Sequence, residues 1–353
     1  PQKFYKSYIF YLLIIFLIYL SINLFFSINL SNSFPRTIKF MLIIFFIKKL
    51  QDLTQTKNLS FEKILPYWTL VFFIVSFDVI FEFIVGFNIL GFYTLMPGRI
   101  ASFFGDELVV GGFYHFISLL ILAFFINQKI SNTIILILAI SIILISFAIG
   151  ERANFIKLFL SVFLFLFFIL KTSFFKKVGI SSIILILLSV VVLTNENIRY
   201  RYYDQIKVIY TAGGLNKYFK ESQYGAHQNA AYKIFKNNLF VGVGLKNFRE
   251  ESKREIYENN EFKKTNERQA THPHQIHLEL LSEIGLLGYL AFFVLILYSI
   301  YYSMKNYLID KNIYQFASIL YIISNLIPLI PSGSIFSTFN GAIFWFNFAL
   351  MLS

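Results

Sequence analysis

The chain is 353 residues long, 57% hydrophobic, 20% aromatic and 14% charged, with no cysteine and a formal charge of +12, and its mean hydropathy is +0.66. Ordinary soluble domains carry about one quarter charged residues, so a water-soluble globular protein is excluded; the missing cysteine excludes disulfides, thiolate metal sites and a cysteine nucleophile. Lys and Arg punctuate apolar runs rather than crowding one polar surface, which argues against a nucleic-acid partner and for orientation in membrane lipid.

Apolar stretches fall at about residues 8–30, 38–47, 64–85, 108–126, 132–149, 154–170, 178–194, 275–303, 313–330 and 337–353. They predict an all-α membrane protein of about ten transmembrane helices, or about twelve if helices precede Pro1. The expected organisation is N-terminal helices over 1–194, a large periplasmic loop containing helices over 195–275, and C-terminal helices over 276–353. The second stretch is short for a full crossing.

Alternate loops hold Lys3 and Lys6, then Lys48, Lys49, Lys57 and Lys63, then Lys129, then Lys171, Lys176 and Lys177, then Lys305 and Lys311. Short basic loops resist translocation, so this set is assigned to the cytoplasm. The opposite set contains Arg36 and Lys39, Arg99, Glu151 with Arg152, segment 195–275 and the uncharged Pro331–Ser334. Arg99, Arg152 and the loop histidines are therefore expected at one outer membrane face. No repeat and no matched pair of broken helices is visible, which argues against an inverted-repeat transporter.

At the loop's end, Thr271-His272-Pro273-His274-Gln275-Ile276-His277 leads into a span that contains Glu279, Glu283, Gly285 and Gly288. An imidazole with an ordinary pKa near 6.5 accepts a hydroxyl proton at neutral pH, so His274 is either a general base or an interfacial histidine. Metal binding by His272, His274 and His277 is a rival, weakened by Pro273 and the uneven spacing. Gly285 lies about three turns beyond His274 and would let a neighbouring helix approach. Arg99 and Arg152 read as an anion site or as lipid-headgroup anchors. Asp78 and Glu82 lie four residues apart on one span and are expected to support an arginine or to face water at the helix end. Asp106-Glu107 would stabilise the start of the following helix, Gly242-Val243-Gly244 a tight turn, and Arg249 to Arg268 a solvated amphipathic helix.

His274-Gln275, nine residues, Gly285, two residues and Gly288 resemble the histidine motif of the O-antigen ligases. Phe87–Gly91 with Gly98-Arg99-Ile100 and Phe103–Glu107, Gly150–Asn154, and Asn237–Phe248 are similar to further segments of that family in the same order. The resemblance runs from about residue 64 to the end. It implies a metal-independent, inverting glycosyltransferase of the GT-C type, without cofactor, in the bacterial inner membrane. The donor would be a glycan on undecaprenyl diphosphate and the acceptor lipid A-core or another glycan. By resemblance His274 is the base, Arg99, Arg152 and either Arg201 or Arg199 hold the diphosphate, and Gln275, Gly285 and Gly288 support the site. An O-antigen polymerase or a protein O-oligosaccharyltransferase of the same family is an alternative, and a lipid-linked glycan flippase is an alternative from another class.

Overall fold

A computed structural model describes residues 2–55, 61–94, 96–107, 109–170, 174–204, 207 and 214–353. Lys57 and Lys171 lie outside these residues, as do the side chains of Lys3, Lys6, Asp106, Lys176 and Lys177. No strand occurs among the described residues. The helices are α1 (Gln2–Asn23), α2 (Leu30–Gln55), α3 (Phe61–Val85), α4 (Val110–Asn127), α5 (Asn132–Ala148), α6 (Arg152–Ile169), α7 (Phe174–Thr194), α8 (Glu196–Arg199), α9 (Gly214–Glu221), α10 (Gln223–Asn237), α11 (Phe248–Glu251), α12 (Ile276–Asp310), α13 (Ile313–Asn325) and α14 (Phe339–Leu352).

Each apolar stretch overlaps one of these helices, with 8–30 and 313–330 running past the ends of α1 and α13. Six of them, α1 to α4, α6 and α12, are long and apolar enough to cross a membrane; a seventh arises if Ser182–Thr194 and Glu196–Asp204, bent by 109°, form one span. Helices α5 and α14 are apolar but shorter. Helix α13 reaches only about 20 Å at 1.5 Å per residue, against a hydrocarbon core of roughly 30 Å. The protein is an all-α, multi-pass membrane protein.

The start of α2 differs from expectation. Arg36 and Lys39 lie inside this 26-residue helix rather than in an outer loop, and Pro35 sits in its second turn. The helix starts early because Asn29 supplies a cap, its Oδ1 accepting the Ser31 N–H at 3.0 Å. The polar residues that follow have work within the fold: Ser33 Oγ donates to the Leu245 carbonyl at 2.8 Å and Asn32 Nδ2 to Asn247 Oδ1 at 3.1 Å.

By internal packing the chain divides into two compact units, residues 1–56, 209–311 and 326–353 in the first and 57–208 and 312–325 in the second. In the first, α12 packs on α1, α10 and α14, and α2 packs on α1 and α14. Buried rings join these helices: Phe16 meets Phe40 at 5.2 Å, Phe40 meets Trp345 at 5.2 Å, and Phe292 meets Phe16 at 5.8 Å. In the second unit α4 is central, packed against α3, α5, α6 and α13.

Helix α12 is broken at Gly285, whose φ of 66° and ψ of −174° are non-helical. The break frees backbone groups that a neighbouring turn satisfies. Leu286 and Leu287 N–H donate to the Leu239 and Phe240 carbonyls at 2.8 and 3.1 Å, and Val243 and Gly244 N–H donate to the Ser282 and Glu283 carbonyls at 3.1 and 2.7 Å. A Cβ on Gly285 would collide with the Phe240 carbonyl. The close neighbour of Gly285 is thus this turn and not another helix; Gly288 is the glycine that admits one, where Tyr19 of α1 approaches and donates to the Ile284 carbonyl at 2.5 Å. Gly285→Ala should lose stability by at least about 1–2 kcal/mol from its left-handed φ alone, with the clash added. A lowered thermal unfolding temperature in detergent checks this; an unchanged one contradicts it.

Candidate functional site

The first unit holds His227, His272, His274 and His277. Gln275 starts α12, its Oε1 accepting the Leu278 N–H at 2.7 Å, so its role is that of a helix cap. The preceding residue, His274, takes a φ of 54°, a conformation that costs a non-glycine residue energy and collects at functional sites. Its carbonyl accepts the Ser332 N–H at 3.0 Å. The ring lies 5.1 Å from Tyr224, 5.4 Å from the stacked ring of His227 and 4.2 Å from His272. Among the described residues no group hydrogen-bonds either ring nitrogen of His274.

His277 lies apart, its Nε2 donating to the Leu326 carbonyl at 2.9 Å and its Nδ1 facing the Tyr289 hydroxyl at 3.1 Å. The cluster is therefore His227, His272 and His274, not the three histidines of the sequence run. His227 carries no motif, and only the fold reveals its contribution from α10.

Burial pushes the His274 imidazole down to about 3, with repulsion from His272 and His227 adding to the effect. His272 is held at about 4 by burial and by the Lys246 charge. As pH falls below the ordinary value near 6.5, the unfolded chain takes up protons that these folded imidazoles refuse. Stability should therefore decline progressively from about pH 6.5 toward pH 4. A thermal unfolding series across that range measures it, and His274→Ala should flatten the slope.

Two buried carboxylates on α12 also belong here, although no motif marks either in the sequence. Glu283 accepts the Lys246 and Phe248 N–H groups at 2.8 and 3.3 Å, and Glu279 Oε1 lies 3.8 Å from Lys246 Nζ. Lys246 Nζ donates to the Thr271 carbonyl at 3.4 Å and Ser334 Oγ at 3.2 Å. These contacts tie the glycine turn to the histidine segment. Gly242 and Gly244 have φ of 67° and 92° and form the tight turn expected of them. The run from Arg249 to Arg268 is not one amphipathic helix but short turns wrapped around a buried Arg268, which donates to the Ser252, Thr265 and Lys253 carbonyls at 2.9, 3.0 and 3.3 Å.

The second unit gathers the arginines. Gly150 and Gly98, with φ of 78° and 71°, bring their backbones so close that a Cβ on Gly150 would meet the Gly98 carbonyl. Beside this crossing Arg99 Nη2 pairs with Glu151 Oε1 at 3.1 Å, Arg152 Nη1 donates to the Arg201 carbonyl at 3.3 Å, and Arg201 Nε donates to the Gly150 carbonyl. Of the two candidates in Arg199-Tyr200-Arg201, Arg201 joins Arg152, whereas Arg199 is exposed. Glu151 also accepts the Gly111 N–H at 3.1 Å and the Asn154 amide at 2.7 Å. Among the described side chains Glu151 is thus the carboxylate at the start of α4; Glu107 is exposed, and the expectation for Asp106 falls outside the described side chains.

Asp78 and Glu82 are buried rather than facing water. Asp78 accepts the Ile89 N–H at 2.8 Å and the Ser102 hydroxyl at 2.6 Å. Glu82 accepts the Ala101 and Ser102 N–H groups at 3.1 and 2.6 Å. They shape the backbone on both sides of Arg99. A further polar group lies among α4, α6 and α13, where His115 Nε2 meets Ser324 Oγ at 2.8 Å and buried Lys157 donates to Asn325 Oδ1 at 3.4 Å.

Buried ionisable groups beside interrupted helices of a membrane protein mark both clusters as candidate functional sites. The sequence model described as O-antigen ligase matches residues 136–293, and over that stretch the chain is similar to the O-antigen ligase family. The match includes Arg152, Arg199, Arg201, His274, Gly285 and Gly288, while Asp78, Glu82 and Arg99 precede it. No curated protein matches the chain.

Proposed function

We propose that the protein is an inverting, metal-independent glycosyltransferase that moves a glycan from undecaprenyl diphosphate to a sugar hydroxyl of lipid A-core, at the periplasmic face of the bacterial inner membrane. The observation that carries this reading is His274: it sits in the family's motif, in a strained conformation, with both ring nitrogens unengaged by the described residues. In the proposed reaction His274 takes the proton of the acceptor hydroxyl as that oxygen bonds the anomeric carbon. The bond from that carbon to the diphosphate breaks, and its electron pair leaves on the phosphate oxygen. Arg99, Arg152 and Arg201 balance the charge that develops there. A single displacement inverts the anomeric carbon.

An imidazole held near 3 is unprotonated throughout the physiological range but pulls weakly on a proton. A polyanionic substrate nearby favours the imidazolium and raises its pKa, so the base would strengthen when substrate is bound.

The test is to incubate purified protein with a polyprenyl-diphosphate glycan and lipid A-core, without added metal, and look for the conjugate. Conjugate formation supports the reading. Transfer only to a second carrier-linked unit or only to a protein would replace the acceptor, and transport across vesicles without any new glycosidic bond would replace the chemistry with that of a flippase.

A further inference from the structure

The proposed reaction needs one histidine, yet the site holds a second imidazole whose free lone pair is fixed by its surroundings. His227 Nε2 lies 2.8 Å from the Glu267 carbonyl oxygen. A carbonyl can only accept, so Nε2 must carry the hydrogen, and in the neutral ring that leaves Nδ1 as an acceptor. Burial holds His227 below the ordinary histidine value, which keeps it in that neutral form at pH 7. The side chain is only 2% exposed, and its Nδ1 is buried with no hydrogen-bond partner among the described residues. An acceptor atom left bare in this way loses the hydrogen bond it would make with water, a cost of about 1–3 kcal/mol that folds seldom carry without a reason. The ring is stacked on His274 at 5.4 Å with an interplanar angle of 27°. His272 Nε2 and Ser332 Oγ, on segments adjoining His274, are also buried without partners among the described residues.

We propose that His227 binds the acceptor sugar: its Nδ1 accepts a hydrogen bond from a second hydroxyl of the same sugar whose reactive hydroxyl faces His274. This deepens the transferase reading and rests on it. The acceptor class is then a sugar with at least two free hydroxyls close to one another. His227 would be a binding residue and would not move a proton in the displacement.

Two conservative replacements separate this role from a structural one. His227→Asn keeps an acceptor oxygen near the Nδ1 position but cannot reach the Glu267 carbonyl, whereas His227→Gln keeps a donor near Nε2 but loses the Nδ1 acceptor. The assay is transfer from a polyprenyl-diphosphate glycan to lipid A-core, with KM for lipid A-core, kcat and thermal unfolding read for each protein. The proposal expects His227→Gln to keep its unfolding temperature and raise the acceptor KM roughly tenfold or more, with His227→Asn nearer the unaltered KM even if less stable. If His227→Gln has unaltered KM and kcat while His274→Ala is inactive, the inference is overturned and the transferase reading stands. Rescue by Gln with failure of Asn would show that the Glu267 bond is the residue's only role and overturns it too. If the unaltered protein forms no conjugate, the transferase reading fails and takes this inference with it.

Discussion

His274→Ala is expected to lower glycan transfer by roughly 100- to 10,000-fold, the range over which a positioned general base assists proton transfer. Most of the loss should appear in kcat, because the imidazole acts on the hydroxyl proton as the new bond forms. Folding should be nearly unaffected. The ring donates to no described group, and the strained φ of 54° is no easier for alanine than for histidine. His274→Gly would relieve that strain and should unfold at a higher temperature than the alanine variant while remaining inactive. Undiminished transfer by His274→Ala would remove the base assignment.

The second large effect is expected at Arg152. Its one hydrogen bond among the described residues, Nη1 to the Arg201 carbonyl, is long at 3.3 Å, so most of the guanidinium fork remains available to a ligand. Arg99, by contrast, is paired with the Glu151 carboxylate. Arg152→Ala should cost roughly 100- to 1,000-fold in kcat, the scale of losing one donor to a developing oxyanion. Arg152→Lys should recover only part of it, since an ammonium restores charge without the planar two-pronged geometry. Steady-state transfer rates with a saturating polyprenyl-diphosphate glycan measure both variants. Equal rates for Arg152→Ala and the unaltered protein would take the diphosphate role away from this residue.

Hydrophobic length and the placement of apolar runs make the helical membrane class readable in the amino-acid sequence, because a bilayer accepts little else. The motif around His274 is equally readable, since its residues are close in the chain and their spacing carries the resemblance. What the chain does not disclose depends on tertiary partners. The polar start of α2 reads as a loop because the groups that satisfy Asn32 and Ser33 lie more than two hundred residues away, at Leu245 and Asn247. His227 resembles any loop histidine until α10 stacks it on His274. Arg199 and Arg201 are equivalent by composition, and only the bend after α7 turns one toward Gly150 and leaves the other exposed. Glu279 and Glu283 are legible in principle, since an intramembrane acid is a signal in its own right and the reasoning that picks out Asp78 and Glu82 applies to them equally.

The four backbone hydrogen bonds that cross the break at Gly285 mean that neither strip of chain is self-sufficient. Exchanging segment 237–248 between related proteins would therefore graft only half of a joint. A working chimaera must carry 282–288 from the same parent, together with the glycines that let the two halves close.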